Sequence, residues 1–145
     1  MINYFKYITK NGLNVTYVEK KNFNKCYVGI GVKYGGCNLS YTIDGVTYND
    51  YPGMAHFLEH KLFSMPYGDA YTEFTKLNAS ANAYTSCDKT VYFFSTNENL
   101  YEPLKVLLDM YFTPYFTSEG VEKEKDIIVS ELNMYDDKVY ARFQK

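Results

Sequence analysis

The most constraining feature of this sequence is a His-x-x-Glu-His motif, which contains both histidines of the 145-residue chain. On an α-helix, residues four apart lie one turn apart on the same face, so His56 and His60 would project together. Glu59 follows His56 by three residues and falls within the same arc. Two imidazoles can then bind one metal ion, with a carboxylate beside the water that the metal activates. The motif therefore predicts a helix that carries a zinc-hydrolase site.

In such a site the metal would acidify the water and polarise the scissile carbonyl. Glu59 would accept the water's proton and pass it to the leaving amine. The alternative is an amphipathic helix on which one histidine is packed and the other is solvated. A third ligand elsewhere in the chain distinguishes the two interpretations, because a catalytic zinc site uses three protein ligands and leaves one position open.

Composition places the chain among ordinary globular domains, with 46% hydrophobic and 22% charged residues. Its length predicts one domain over residues 1–145. The net charge of −2 gives no reason to expect nucleic acid or an anionic membrane as a partner. Residues 2–8 are too few and too polar to span a bilayer.

The three cysteines, Cys26, Cys37 and Cys87, form no Cys-x-x-Cys pair and leave an odd thiol if two of them bridge. Because the N-terminus has no hydrophobic signal segment, a cytoplasmic location is expected. Cys26 is expected in the core, on the apolar face of a strand. Cys87 is a poor candidate ligand, since its turn offers no second ligand at metal-binding spacing.

Alternation, turn residues and caps predict an α+β domain, with an antiparallel or mixed sheet and helices packed on one face. Strands are expected over residues 4–9, 13–19, 26–34, 81–85 and 89–95, and a loop with a turn at Asp44-Gly45 over 37–50. Helices are expected over residues 53–64, 71–77 and 100–112, and from Ser118 onward, with Asp69, Asn99 and Ser118 as caps. The apolar stripe of the third helix is predicted to be core: Leu100, Leu104, Leu107, Leu108 and Tyr111.

The last helix supplies the candidates for a third ligand. Glu119 and Glu122 are expected on its solvated face. Glu124 and Glu131 are two turns apart and share a stripe with two isoleucines, where a half-buried carboxylate is costly unless it is paired or bound to a metal. Spacing alone does not choose between these two glutamates.

Three segments, residues 53–60, 81–92 and 121–131, resemble the signature blocks of the insulinase/pitrilysin peptidases, the inverted zincins. Within that family they are most similar to the bacterial branch akin to mitochondrial processing peptidases. The resemblance implies one Zn²⁺ per chain, bound by His56, His60 and Glu131, with Glu59 as the general base. It implies that Glu124 supports the site without being a principal ligand.

The same resemblance implies that Asn82, Ala83 and Tyr84 lie on an edge strand, where a peptide substrate would bind as an added β-strand. It also implies that the chain is the N-terminal part of a longer enzyme. The second half, on the same chain or on a partner subunit, would close over the substrate. Residues 139–145 carry no terminating signal, so the last helix is expected to reach or approach the end of the sequence.

Three consequences follow from these expectations. The chain by itself should bind zinc, hydrolyse peptides poorly and expose an apolar patch that favours self-association. A non-catalytic peptide-binding or partner-binding subunit is the main alternative, and such a subunit would usually carry a damaged motif. A purely structural zinc site is a further alternative, although such sites are closed and rich in cysteine.

Overall fold

The computed structural model describes residues 3–136 of the chain, so the expectation for residues 139–145 lies outside the described part. The strands are β1 Asn3–Ile8, β2 Asn14–Glu19, β3 Cys26–Val32, β4 Ser40–Ile43, β5 Val46–Asn49, β6 Ser64–Met65, β7 Gly68–Asp69, β8 Ala79–Thr85 and β9 Thr90–Thr96. The helices are α1 Met54–Lys61, α2 Ala70–Lys76, α3 Tyr101–Phe112 and α4 Ser118–Asp136. The predicted α+β class is confirmed.

A three-stranded antiparallel sheet in the order β3-β9-β8 organises the domain. Alternate residues of β9 are buried, from Thr90 through Phe94 to Thr96, because they face the helices. Phe74 of α2 and two residues of α3, Leu107 and Met110, complete the same buried cluster. The helices therefore pack on one face of the sheet, as predicted. Of the predicted α3 stripe, all but Leu108 bury fully or pack against this cluster.

We expect Phe94→Ala to lower the free energy of unfolding by about 3–5 kcal/mol, because it leaves a cavity in a fully buried aromatic cluster. Phe94 has no exposed surface, and its ring lies 5.7 Å from that of Phe74. Urea denaturation measures the effect. Phe112→Ala is the matched control, since its side chain is 59% exposed and should cost far less. Equal losses in the two variants would contradict this assignment of the core.

The predicted loop over residues 37–50 is wrong, because β4 and β5 form an antiparallel hairpin there. Its turn lies at Asp44 and Gly45 as expected, and both have positive φ. Positive φ at both central residues gives a two-residue turn whose twist matches the right-handed twist of the flanking strands. The Tyr41 and Tyr48 rings stack across the strands at 5.6 Å. Neither strand is buried, so no hydrophobic alternation marks them in the sequence.

Two of the three predicted helix caps are confirmed. Asp69 accepts the Tyr71 N–H of α2 at 2.8 Å, and Asn99 accepts the Tyr101 N–H of α3 at 2.9 Å. At α4 the cap is one residue earlier than predicted. The Thr117 hydroxyl, and not that of Ser118, accepts the Gly120 N–H, at 3.1 Å.

Cys37 and Cys87 form a disulfide, with Cα atoms 4.8 Å apart, which ties the segment after β3 to the β8–β9 turn. Two main-chain hydrogen bonds run alongside it, from Gly36 N–H to Ser86 and from Cys37 N–H to Cys87. Cys26 is the odd free thiol. It is exposed at the first position of β3, so its predicted burial is wrong. The cytoplasmic location stays a prediction.

The β1–β2 hairpin displays much of the exposed apolar surface of the described residues. Its aromatic and aliphatic side chains are mostly more than half exposed, including Tyr4, Phe5, Ile8 and Tyr17. An apolar patch was expected, and self-association through it stays a prediction. No helix in the range 3–136 has the length and apolar character needed to cross a membrane.

Candidate metal centre

Helix α1 presents the motif side chains beside the sheet. It begins after Gly53, whose φ of +88° is a left-handed conformation that glycine adopts without strain. Ala55 is buried, and this small side chain lets the helix lie close to the sheet. His56, Glu59 and His60 are all half-buried.

Three ligand atoms converge at this helix. The Nε2 atoms of His56 and His60 lie 3.1 Å apart, and Glu131 Oε2 of α4 lies 3.7 Å and 3.6 Å from them. Two bonds of about 2.1 Å at a tetrahedral angle separate ligand atoms by about 3.4 Å. The three atoms are therefore spaced as ligands of one tetrahedral zinc ion would be, and the residues fit such an ion.

Glu124 takes a different position from Glu131. Its Oε1 lies 3.0 Å from His60 Nδ1, on the opposite side of the imidazole from the converging atoms. Because a carboxylate only accepts hydrogen bonds, Nδ1 carries the proton and Nε2 keeps its lone pair for a metal. The two glutamates that spacing left as alternatives therefore differ in position: Glu131 lies with the two Nε2 atoms, and Glu124 lies behind His60.

Glu59 is held by a hydroxyl from the end of β8. Thr85 Oγ1 donates to Glu59 Oε2 at 2.5 Å. Thr90 Oγ1 lies 3.3 Å from the Thr85 hydroxyl and donates to the carbonyl of Tyr34 at 2.8 Å. Because the Thr90 hydrogen is committed to that carbonyl, the Thr85 hydrogen remains for Glu59. The sequence assigned no role to Thr85, and nothing in its spacing linked it to a residue 26 positions away.

A cleft of about 730 Å³ opens at this site. Its walls include Glu59, His60 and Glu131 as well as Asn82 of β8. In the described part of the chain, β8 pairs with β9 on one side only and is therefore an edge strand, as predicted. Asn82 and Tyr84 are exposed, and Asn82 Oδ1 accepts the Ala83 N–H at 2.8 Å.

The Tyr71 phenol lines the same cleft as Glu59. Burial raises the pKa of Tyr71, and the negative charges of Asp69 and Glu59 add to the shift. Tyr92 lies in the core behind the site, and burial followed by the charge of Glu59 raises its pKa well above the usual range. Both phenols therefore stay protonated at neutral pH, and Tyr71 offers a neutral hydroxyl to the cleft.

Comparison with known proteins gives consistent matches over most of the chain. The sequence profile of the insulinase family, peptidase family M16, matches residues 14–145. The uncharacterized zinc protease YmfH of Bacillus subtilis is 46% identical over 129 residues, which are 88% of this chain and 30% of that protein. Insulin-degrading enzyme-like 2 of Arabidopsis thaliana is 31% identical over 134 residues, which are 88% of this chain and 13% of that protein.

Solved structures give the same result. The M16-like peptidase of Alicyclobacillus acidocaldarius matches with a TM-score of 0.91 and 34% identity, over 97% of this chain and 33% of that one. A protease from Helicobacter pylori matches with a TM-score of 0.79 over 94% of this chain and 32% of that one, and at 24% identity it supports the fold alone. The chain spans about a third or less of the length of each of these relatives.

Proposed function

The chain belongs to the insulinase family of peptidases, and on that premise we propose that it carries the zinc site of a metalloendopeptidase acting on peptides or small unfolded proteins. The observation that carries the proposal is the convergence of His56, His60 and Glu131 beside Glu59. A structural zinc site would have no use for the additional carboxylate of Glu59, which is not one of the three converging residues, and this favours hydrolysis.

In this proposal His56, His60 and Glu131 would hold one Zn²⁺ through the three converging atoms. When bound, the ion supplies Lewis-acid chemistry, acidifying a water and polarising the scissile carbonyl. Glu124 fixes the tautomer and orientation of His60 through Nδ1. Glu59 accepts a proton from the attacking water and delivers it to the leaving amine nitrogen.

The substrate would lie along β8 as an additional strand. The free edge of β8 supports this, because main-chain pairing holds an extended peptide with little demand on its sequence. Asn82, Ala83 and Tyr84 would contact the peptide in this arrangement. The Ala83 N–H now donates to the Asn82 side chain, so a peptide carbonyl would compete with that amide for the same donor.

Chelation tests the proposed function directly. We expect hydrolysis of an unstructured reporter peptide to stop when a chelator removes the metal and to return when zinc is added in equimolar amount. Activity that is indifferent to chelation and zinc would contradict the proposal. The natural polypeptide that carries this sequence is the protein to assay.

The chain of residues 1–145 alone should be a much weaker catalyst than that polypeptide. Its cleft is open to solvent, and an unclosed site leaves the peptide poorly positioned. We expect zinc to bind while turnover stays low, as measured by elemental analysis and peptide hydrolysis on one sample. Robust, Glu59-dependent turnover by residues 1–145 would contradict this expectation.

Thr85 is expected to be a positioning residue for Glu59. Thr85→Val removes the hydroxyl that donates to Glu59 and should lower kcat about tenfold, with little change in KM or zinc content. Thr85→Ser keeps a hydroxyl at the same position and should restore most of the activity. A purely structural role would instead make the two variants unfold alike or leave kcat unchanged.

A further inference from the structure

One end of the cleft carries positive charge that no carboxylate of the described chain neutralises. Lys61, the last residue of α1, is only 4% exposed, and its Nζ donates to the Ser64 hydroxyl at 3.0 Å. Lys123 of α4 is exposed and lines the same cleft. Within residues 3–136, neither lysine forms an ion pair, whereas Lys76 and Lys125 each pair with a glutamate on their own helix.

The four carboxylates that line the cleft are all engaged elsewhere. Glu59 accepts from Thr85, Glu124 pairs with His60, and Asp69 caps α2. Glu131 lies beside the two Nε2 atoms. Within residues 3–136, none of these four carboxylates pairs with Lys61 or Lys123.

Gly120 makes room for this arrangement. A Cβ at Gly120 would lie 2.6 Å from Lys61 Nζ, so the ammonium rests against the bare backbone of the first turn of α4. Lys123 is one helical turn further on and therefore projects on the same side. A buried ammonium is costly without a partner of opposite charge, and a single neutral hydroxyl compensates it only in part.

We propose that Lys61 and Lys123 form a carboxylate-binding subsite, so that the protein prefers peptides that place an acidic side chain or a free C-terminus in this end of the cleft. The inference rests on the proposed function, since the peptide in the cleft is the proposed substrate. The subsite lies in the same cleft as Glu59, His60 and Glu131, so it would select substrates near the reacting bond.

The test compares the binding of matched peptides by calorimetry. The protein is the zinc-loaded natural polypeptide with Glu59→Gln, so that peptides are not consumed. The parent peptide has no charged side chain and an amidated C-terminus. In one series, Glu replaces Gln at a single position of the parent peptide, and the position differs from one peptide to the next. A further peptide has the parent sequence with a free C-terminal carboxylate in place of the amide. We expect at least one carboxylate-bearing peptide to bind about tenfold or more tightly than its neutral partner. The two arms show which carboxylate is preferred.

Lysine variants locate the effect. Lys61→Met should abolish the discrimination while affinity for the neutral parent and zinc content stay unchanged. Lys105→Met is the control, because Lys105 is exposed on α3, outside the cleft. Lys123→Met removes an exposed side chain, so it should fold even if Lys61→Met does not, and it should reduce the discrimination. Equal binding of all peptides, or discrimination that survives the Lys123 and Lys61 changes, overturns the inference.

Cleavage of the same peptides by the wild-type protein tests the peptidase function separately. Cleavage without carboxylate preference would overturn the subsite and leave the proposed function standing. Preferential binding of carboxylates without cleavage of any peptide would overturn the peptidase proposal and leave the subsite standing.

Discussion

Replacing Glu59 by glutamine is expected to lower kcat for peptide hydrolysis by about 10²–10⁴-fold, the usual contribution of a positioned general base. Glutamine matches glutamate in size, and its amide oxygen can still accept the hydrogen bond from Thr85. The side chain would keep its place but lose the ability to take a proton. Zinc content should stay at one ion per chain, because Glu59 is not among the converging atoms.

Steady-state hydrolysis and elemental analysis on one preparation measure both effects. Glu122→Gln is the control, since Glu122 is exposed on α4 and, among the described residues, pairs only with Lys125. It changes the net charge by the same amount as Glu59→Gln and should leave kcat unchanged. A Glu59→Gln protein with full activity would contradict the assignment of the base. A wild type that binds zinc and peptide but never cleaves would instead favour the non-catalytic subunit.

The motif helix was predictable because the relative positions of its side chains depend only on residues within the helix itself. The 3.6-residue period puts His56 and His60 on one face whatever the rest of the chain does. The same period placed Glu124 and Glu131 on one stripe of α4 but could not choose between them. The choice depends on how α4 packs against α1, and one imidazole then meets a glutamate at each of its two nitrogens.

What the sequence did not reveal depends on contacts between distant segments. Thr85 reaches Glu59 because β8 ends beside α1, and Cys37 meets Cys87 across 50 residues of sequence. Nothing in the sequence indicates that Lys61 is buried, because its Nζ lies against Gly120 of α4, a residue far along the chain. The β4–β5 hairpin was missed for a different reason, since both of its strands are exposed and only its Asp-Gly turn was visible in the sequence.

The second large effect is expected at the metal itself. Glu131→Gln should abolish stoichiometric zinc binding, because it replaces the anionic member of the three converging atoms with a neutral amide. Glu124→Gln should weaken zinc binding by only about 10–100-fold, as is usual for a residue that supports a ligand through a hydrogen bond. The two glutamates lie on the same helix and the substitutions change charge equally, so each controls for the other.

The experiment is a competition between each protein and a chelator of known zinc affinity, read by elemental analysis after dialysis. At a low chelator concentration the wild type and Glu124→Gln should retain zinc, while Glu131→Gln should not. At higher concentration Glu124→Gln should lose it before the wild type does, because His60 is no longer held with its Nε2 lone pair toward the ion. Equal zinc retention in Glu131→Gln and wild type would overturn Glu131 as a ligand. If Glu124→Gln lost zinc as completely as Glu131→Gln, Glu124 would be a direct ligand of the ion. The His60 ring would then have a different orientation from the one in this structure.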